Sequence, residues 1–177
     1  MKKSQITVIP EYFNYYLSLI QDVDLNISLE NHLTEINEID IKEFEALKDI
    51  VYAANKWTVK DILQHIIDTE RIMTFRALLF ARGDKNTLAG FDENSFAVNT
   101  TVQNRSVMGL INEFVQVRKS TLLLFENFND KMLNATGMAN GKEISVLAIG
   151  FIICAHQKHH LNVIKERYLP LLMKLEN

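Results

Sequence analysis

Only two prolines and six glycines punctuate a chain of 177 residues. A sandwich or barrel needs Gly-, Pro- or Asn-bearing turns at short intervals, so turn chemistry this sparse favours a few long helices. The length suits one domain over residues 1–177 with a sizeable core. Hydrophobic residues at 47% and charged residues at 23% exclude a disordered or collagenous chain. A formal charge of −3 lacks the positive excess used by binders of nucleic acid or anionic membranes, so neither partner is expected. The one cysteine, Cys154, has no internal disulfide partner, and a reducing cytoplasm is the expected compartment. Met1-Lys2-Lys3 resembles the basic flank of a signal peptide, but Glu11 and Asn14 interrupt the apolar run that should follow. The longest apolar stretch, Ile144 to Ala155, is 12 residues. A membrane span needs roughly 18, so this stretch reads as a buried helix.

Apolar spacing then places the helices. Pro10 suits a first helical turn, and Tyr12, Phe13, Tyr16, Leu17 and Ile20 follow at helical spacing, giving a short first helix. Leu29, Leu33, Ile36, Phe44 and Leu47 fit a longer helix from about Asn26 to Val51, which the stretch Asn37 to Ile41 is able to break. Thr58 caps a strong stripe through Ile62, Ile66, Met73 and Ala77 that ends at Gly83. From Gly83 to Asn104 no period is sustained, as expected of a functional loop or a crossover. Ser106 opens a helix closing near Phe128, and Gly137 to Gly141 reads as a loop. Ser145 caps a last helix running to Leu169, with Pro170 expected to stop it. Four long helices and a short one make an all-α bundle, in which the long crossover lets the helices on either side of it run parallel.

Four of the five histidines fall in two of these helices. His156 and His160 stand at i and i+4, which stacks two imidazoles on one face at the spacing of two bonds to one ion. That face also carries Ile149, Ile152, Ile153, Val163 and Ile164, so both rings point into the bundle. A buried imidazole without a partner costs on the order of 1–3 kcal/mol. A shared metal would satisfy both rings, and so would separate hydrogen bonds. His65, beside the Ile62/Ile66 stripe, is directed inward or toward a neighbouring helix and could complete an all-imidazole, three-ligand site with open coordination positions.

Other polar residues admit plainer roles. His159 lies ~100° round the helix from His160 and is expected at the surface or behind a ligand. Glu70 and Arg118 fall on apolar stripes, and a structural bridge from Glu70 to Arg118 or Arg167 is expected, because buried charges must be paired. Arg76, three turns from His65 and ~20° off its face, is placed to meet an anionic substrate or the Gly90 to Asn94 loop. Asp68, one turn from His65, is the best-placed carboxylate to orient a ligand or carry a proton, with a solvated or pairing role as the plainer alternative. Cys154 points ~200° away from His156 and reads as core. Trp57 reads as a packing anchor.

The segment Trp57-Thr-Val-Lys-Asp-Ile-Leu-Gln-His65-Ile-Ile-Asp-Thr-Glu-Arg71, the loop Arg82-Gly-Asp-Lys followed by Gly90-Phe-Asp-Glu-Asn94, and the ending His156-Gln-Lys-His-His160 with Glu166-Arg-Tyr168 together resemble the DinB-like (damage-inducible) superfamily of metalloenzymes. Despite its name, this superfamily is unrelated to the lesion-bypass polymerase. The resemblance spans about Tyr52 to Leu169. It implies a four-helix bundle in up-down-down-up order, with a short extra N-terminal helix and a long crossover loop, assembled as a homodimer. It also implies a divalent metal ion, zinc or nickel, with His65, His156 and His160 as ligands, and all three positions are filled. The implied activity is that of a metal-dependent hydrolase, or of a transferase using a low-molecular-weight thiol, acting on a small molecule. The alternative is a non-catalytic metal-binding or stress-response module on the same fold. Catalytic residues beyond the ligands are not named by the resemblance.

Overall fold

The computed structural model describes residues 1–175. Its α-helices between Leu25 and Val163 begin where short polar side chains take up the free amides of a first turn. A 3-10 turn at Glu11–Phe13 leads into α1 (Asn14–Ser18). Asp24 caps α2 (Leu25–Asn37), and Asp40 caps α3 (Ile41–Ala46) by accepting from the amides of Lys42 and Glu43. Thr58 and Asp61 form a reciprocal capping box at the start of α4 (Val59–Ala81). After α5 (Glu93–Val98) and a 3-10 turn at Val102–Asn104, Ser106 caps α6 (Val107–Glu126), and α7 (Asp130–Leu133) follows. Strands β1 (Thr136–Ala139) and β2 (Lys142–Ser145) pair antiparallel. Ser145 then caps α8 (Val146–Val163), which passes through a π-helical turn at Ile164–Tyr168 into α9 (Leu169–Leu175).

The bundle is built from α2, α4, α6 and α8, with α2 and α4 each packed against both α6 and α8. Side-chain pairs give the directions. Gln64 with Arg105, Arg71 with Glu113 and Thr74 with Thr121 advance together, so α4 and α6 run parallel. Leu25 beside Gly150 and His32 beside Gln157 make α2 and α8 parallel as well. Trp57 against Tyr168 and His65 against His156 make α4 and α8 antiparallel. The order is up-down-down-up, and the crossover between α4 and α6 is what permits the parallel middle pair.

Four local expectations are corrected. The helix expected from Asn26 to Val51 breaks between Asn37 and Ile41, because Asp40 starts a new first turn there. The crossover contains α5, for which Asp92 accepts from the amides of Asn94 and Ser95. The Gly137 to Gly141 stretch belongs to a hairpin, not a loop alone: Asn140 at φ 51 and Gly141 at φ 71 form the two-residue left-handed turn that matches strand twist. Pro170 does not end the helix. It falls where the wide turn at Ile164–Tyr168 gives way to α9, and a widened turn relieves the clash between a proline ring and the preceding carbonyls.

The core divides into two apolar clusters. One contains Leu29, Phe80, Phe125, Phe151 and Ile152, and the other Ile36, Leu63, Ile66, Phe114 and Tyr168. Each bundle helix crosses from one cluster to the other through polar residues: His32 on α2, Thr69 and Glu70 on α4, Arg118 and Thr121 on α6, His156 and Gln157 on α8. This polar waist is where the candidate site lies. Among the described residues no helix is long and apolar enough to cross a membrane.

Candidate metal centre

Because α4 and α8 run antiparallel with their waists in register, His65 faces His156 and His160 across the helix interface. His156 Nε2 lies 3.0 Å from His65 Nε2 and 3.0 Å from His160 Nε2. Ligand atoms of all three lie within 4.8 Å of one another, and all three residues are half-buried. Trp57 packs against His65 at a ring separation of 4.7 Å, and Tyr16 against His156 at 6.3 Å, fixing the ring planes from outside. Burial pushes the His65 imidazole down to about 4 and that of His160 to about 3, and holds His156 well below the usual range. All three rings are therefore neutral near pH 7.

The donor set fits a divalent ion. Tetrahedral bonds of about 2.0–2.1 Å separate imidazole nitrogens by roughly 3.3 Å, close to the 3.0 Å approaches seen. Without an ion, His156 Nε2 would have to serve two neighbouring ring nitrogens with either a single N–H or a single in-plane lone pair, and neither makes two full hydrogen bonds. One cation accepts all three lone pairs.

The three rings line one end of a cavity of about 340 Å³. Its walls are largely apolar, with Met73, Ile144, Ile149 and Ile152 among them. The crossover covers it and is pinned by the hairpin: the Leu88 amide donates to the Met138 carbonyl at 2.9 Å, and the Asn140 amide donates to the Leu88 carbonyl at 3.0 Å. A Cβ at Gly137 would overlap the ring of buried Phe80, so that close approach requires glycine, whereas one at Gly90 would displace the exposed Asn140 side chain.

The remaining candidates sort clearly. His159 packs edge-on against Tyr15 and Tyr16 outside the three-ring group. Glu70 accepts two hydrogen bonds from Arg118, at 2.8 and 2.9 Å, with both side chains shut off from solvent at 2% and 0% exposure. Arg167 lies instead over the ring of Tyr52. Asp68 accepts from Gln64 at 2.9 Å and lies 3.9 Å from Arg71, and burial lifts its carboxyl above the ordinary value. Its partners are thus structural. Cys154 is fully buried, which pushes its thiol up to about 11. Arg76 lines the cavity and donates to the Ala89 carbonyl of the crossover at 2.8 Å. Trp57 is both a packing anchor and a wall of the site.

Sequence reasoning missed Tyr16 and Glu93 at the cavity. Glu93 opens α5 directly after its Asp92 cap, and that Asp-Glu-Asn-Ser helix start was the available signal.

Residues 12–164 match the family model of the DinB superfamily. Among solved structures, the fold is similar to that of YfiT from Bacillus subtilis, described as a probable metal-dependent hydrolase with an unusual four-helix bundle topology. The TM-score is 0.69 at 15% identity, covering 95% of this chain and 91% of that one, a likeness of fold. No curated protein matches the chain.

Proposed function

The chain belongs to the DinB superfamily, and on that premise we propose that it is a divalent-metal-dependent enzyme, a hydrolase of a small molecule, with zinc or nickel held by His65, His156 and His160. The observation that carries this reading is the convergence of three neutral ring nitrogens on the wall of a cavity. Bound there by neutral ligands, such an ion keeps its charge and supplies Lewis acidity, lowering the pKa of a coordinated water or thiol.

The chain's own residues supply the rest. Trp57 and Tyr16 pack against the imidazoles of His65 and His156 and restrict their ring orientations. Glu93 lines the same cavity and acts electrostatically on both His65 and Tyr16. Its side chain is exposed, so a carboxylate oxygen there can take a proton and release it to solvent. YfiT's description as a probable metal-dependent hydrolase supports the same reaction class. Thiol transfer is the second reading. Cys154 is buried and firmly protonated, so the thiol would have to arrive as a co-substrate.

The test is turnover by protein loaded with zinc or nickel, against a panel of esters and amides and, separately, thiols with electrophiles. Hydrolysis that vanishes in His156→Ala is expected. Thiol-dependent turnover without hydrolysis would select the second reading, and hydrolysis that survives His156→Ala would remove the triad from the chemistry.

A further inference from the structure

The cavity contains a cation that the metal reading does not use. Arg76 is 7% exposed and stands on the same face of α4 as His65, Thr69 and Met73. Its contacts are the Ala89 carbonyl at 2.8 Å, the Met73 sulfur at 3.8 Å and the face of Phe91 with its guanidinium carbon 6.0 Å from the ring centre. Among the described residues it forms no ion pair. A guanidinium carries five N–H donors, and buried charges are ordinarily paired. Arg118, at 0% exposure, shows the ordinary solution with Glu70. A second observation lies on the same wall: Thr69, also 7% exposed, has a buried hydroxyl without a hydrogen-bond partner.

Taking the cavity to be the substrate site, we propose that it binds an elongated organic carboxylate, its charged end paired with Arg76 and its other end at the three histidines. Along α4, His65 and Arg76 are eleven residues apart, so their Cα atoms are separated by ~16 Å, and a ligand that touches both ends is long. Met73, Ile149 and Ile152 between them suit an apolar body. Arg76 is the one Lys or Arg lining the cavity among the described residues, which matches a single negative charge better than a phosphate dianion.

Binding of hexanoate and of its neutral analogue hexanamide, measured by calorimetry on metal-free protein, tests this without contribution from a carboxylate–metal bond. Wild-type protein is expected to prefer the acid by about tenfold or more, with the preference lost in Arg76→Met and largely kept in Arg76→Lys. Equal affinities for acid and amide, no saturable binding of hexanoate at millimolar concentration, or an undiminished preference in Arg76→Met would overturn it. Should Arg76→Met lose cooperative melting, the acid–amide comparison on wild-type protein decides alone. Zinc titration of the same preparations separates the two readings. Wild-type protein that prefers the acid but takes up no zinc overturns the metal centre and not the anion site, whereas zinc uptake without an acid preference does the reverse.

Discussion

His65 and His156 are 91 positions apart in the chain, and their Nε2 atoms approach to 3.0 Å. Nothing local brings them together. The contact depends on α4 and α8 running antiparallel with the polar waist of each at the same height, so the triad reports on the whole bundle.

Metal binding should therefore appear as stability. An ion that binds the folded chain alone raises its stability by RT ln(1 + [L]/Kd), about 4 kcal/mol at a thousandfold excess over Kd. Zinc should raise the melting temperature of wild-type protein and leave those of His65→Ala and His156→Ala nearly unmoved. An equal rise in all three would place the bound zinc elsewhere.

Acid should weaken the metal-free protein. His65 titrates at about 4 and His160 at about 3 in the fold, against an unfolded value near 6.5. Well above pH 6.5 neither state is protonated at these rings and they contribute no pH dependence to stability. Between about 6.5 and 4 the unfolded chain binds protons that the folded chain does not, so stability falls as pH falls, and the slope eases once the folded rings also protonate. Urea midpoints at pH 7 and pH 5 should differ in that direction. Equal midpoints would contradict the buried neutral rings.

The Glu70–Arg118 pair is expected to be costly to break and cheap to replace. Glu70→Ala leaves a guanidinium unpaired at 0% exposure and should cost about 3–5 kcal/mol in denaturant unfolding. Glu70→Leu combined with Arg118→Met removes both charges and should cost much less than the sum of the two single changes. Additive losses would show that the pair is not coupled.

The hairpin that pins the crossover should be sensitive to one methyl group. A Cβ at Gly137 overlaps Phe80, which is itself buried in the core. Gly137→Ala should lower stability by about 1–3 kcal/mol, with a correspondingly lower urea midpoint. An unchanged midpoint would mean that Phe80 can move aside freely.

What could be read from the chain was mostly what local chemistry decides. Thr58, Ser106 and Ser145 mark helix starts through their own side chains, and each caps the helix expected of it. The i, i+4 spacing of His156 and His160 is likewise local, and the length of the crossover made a parallel pair of helices possible to anticipate. Harder to read was whatever depends on distant contact. Asn140-Gly141 is a strong turn signal, but β1 is only Thr-Gly-Met-Ala, with a glycine at a strand position and too little alternation to betray a strand. Pro170 would be expected to stop a regular helix, but it stands in α9 just after a π-turn that no residue pattern announces. Tyr16 and Glu93 come from separate segments, and only the folded chain makes them walls of one cavity.

The central claim is that three neutral imidazoles hold one divalent ion. Elemental analysis of protein made without a histidine tag, followed by calorimetric titration of the stripped protein with zinc and nickel, tests it directly. The account predicts one ion per chain, lost in each of His65→Ala, His156→Ala and His160→Ala and retained in His159→Ala. Wild-type protein that contains no transition metal and binds neither ion, or binding that survives removal of His156, would contradict it.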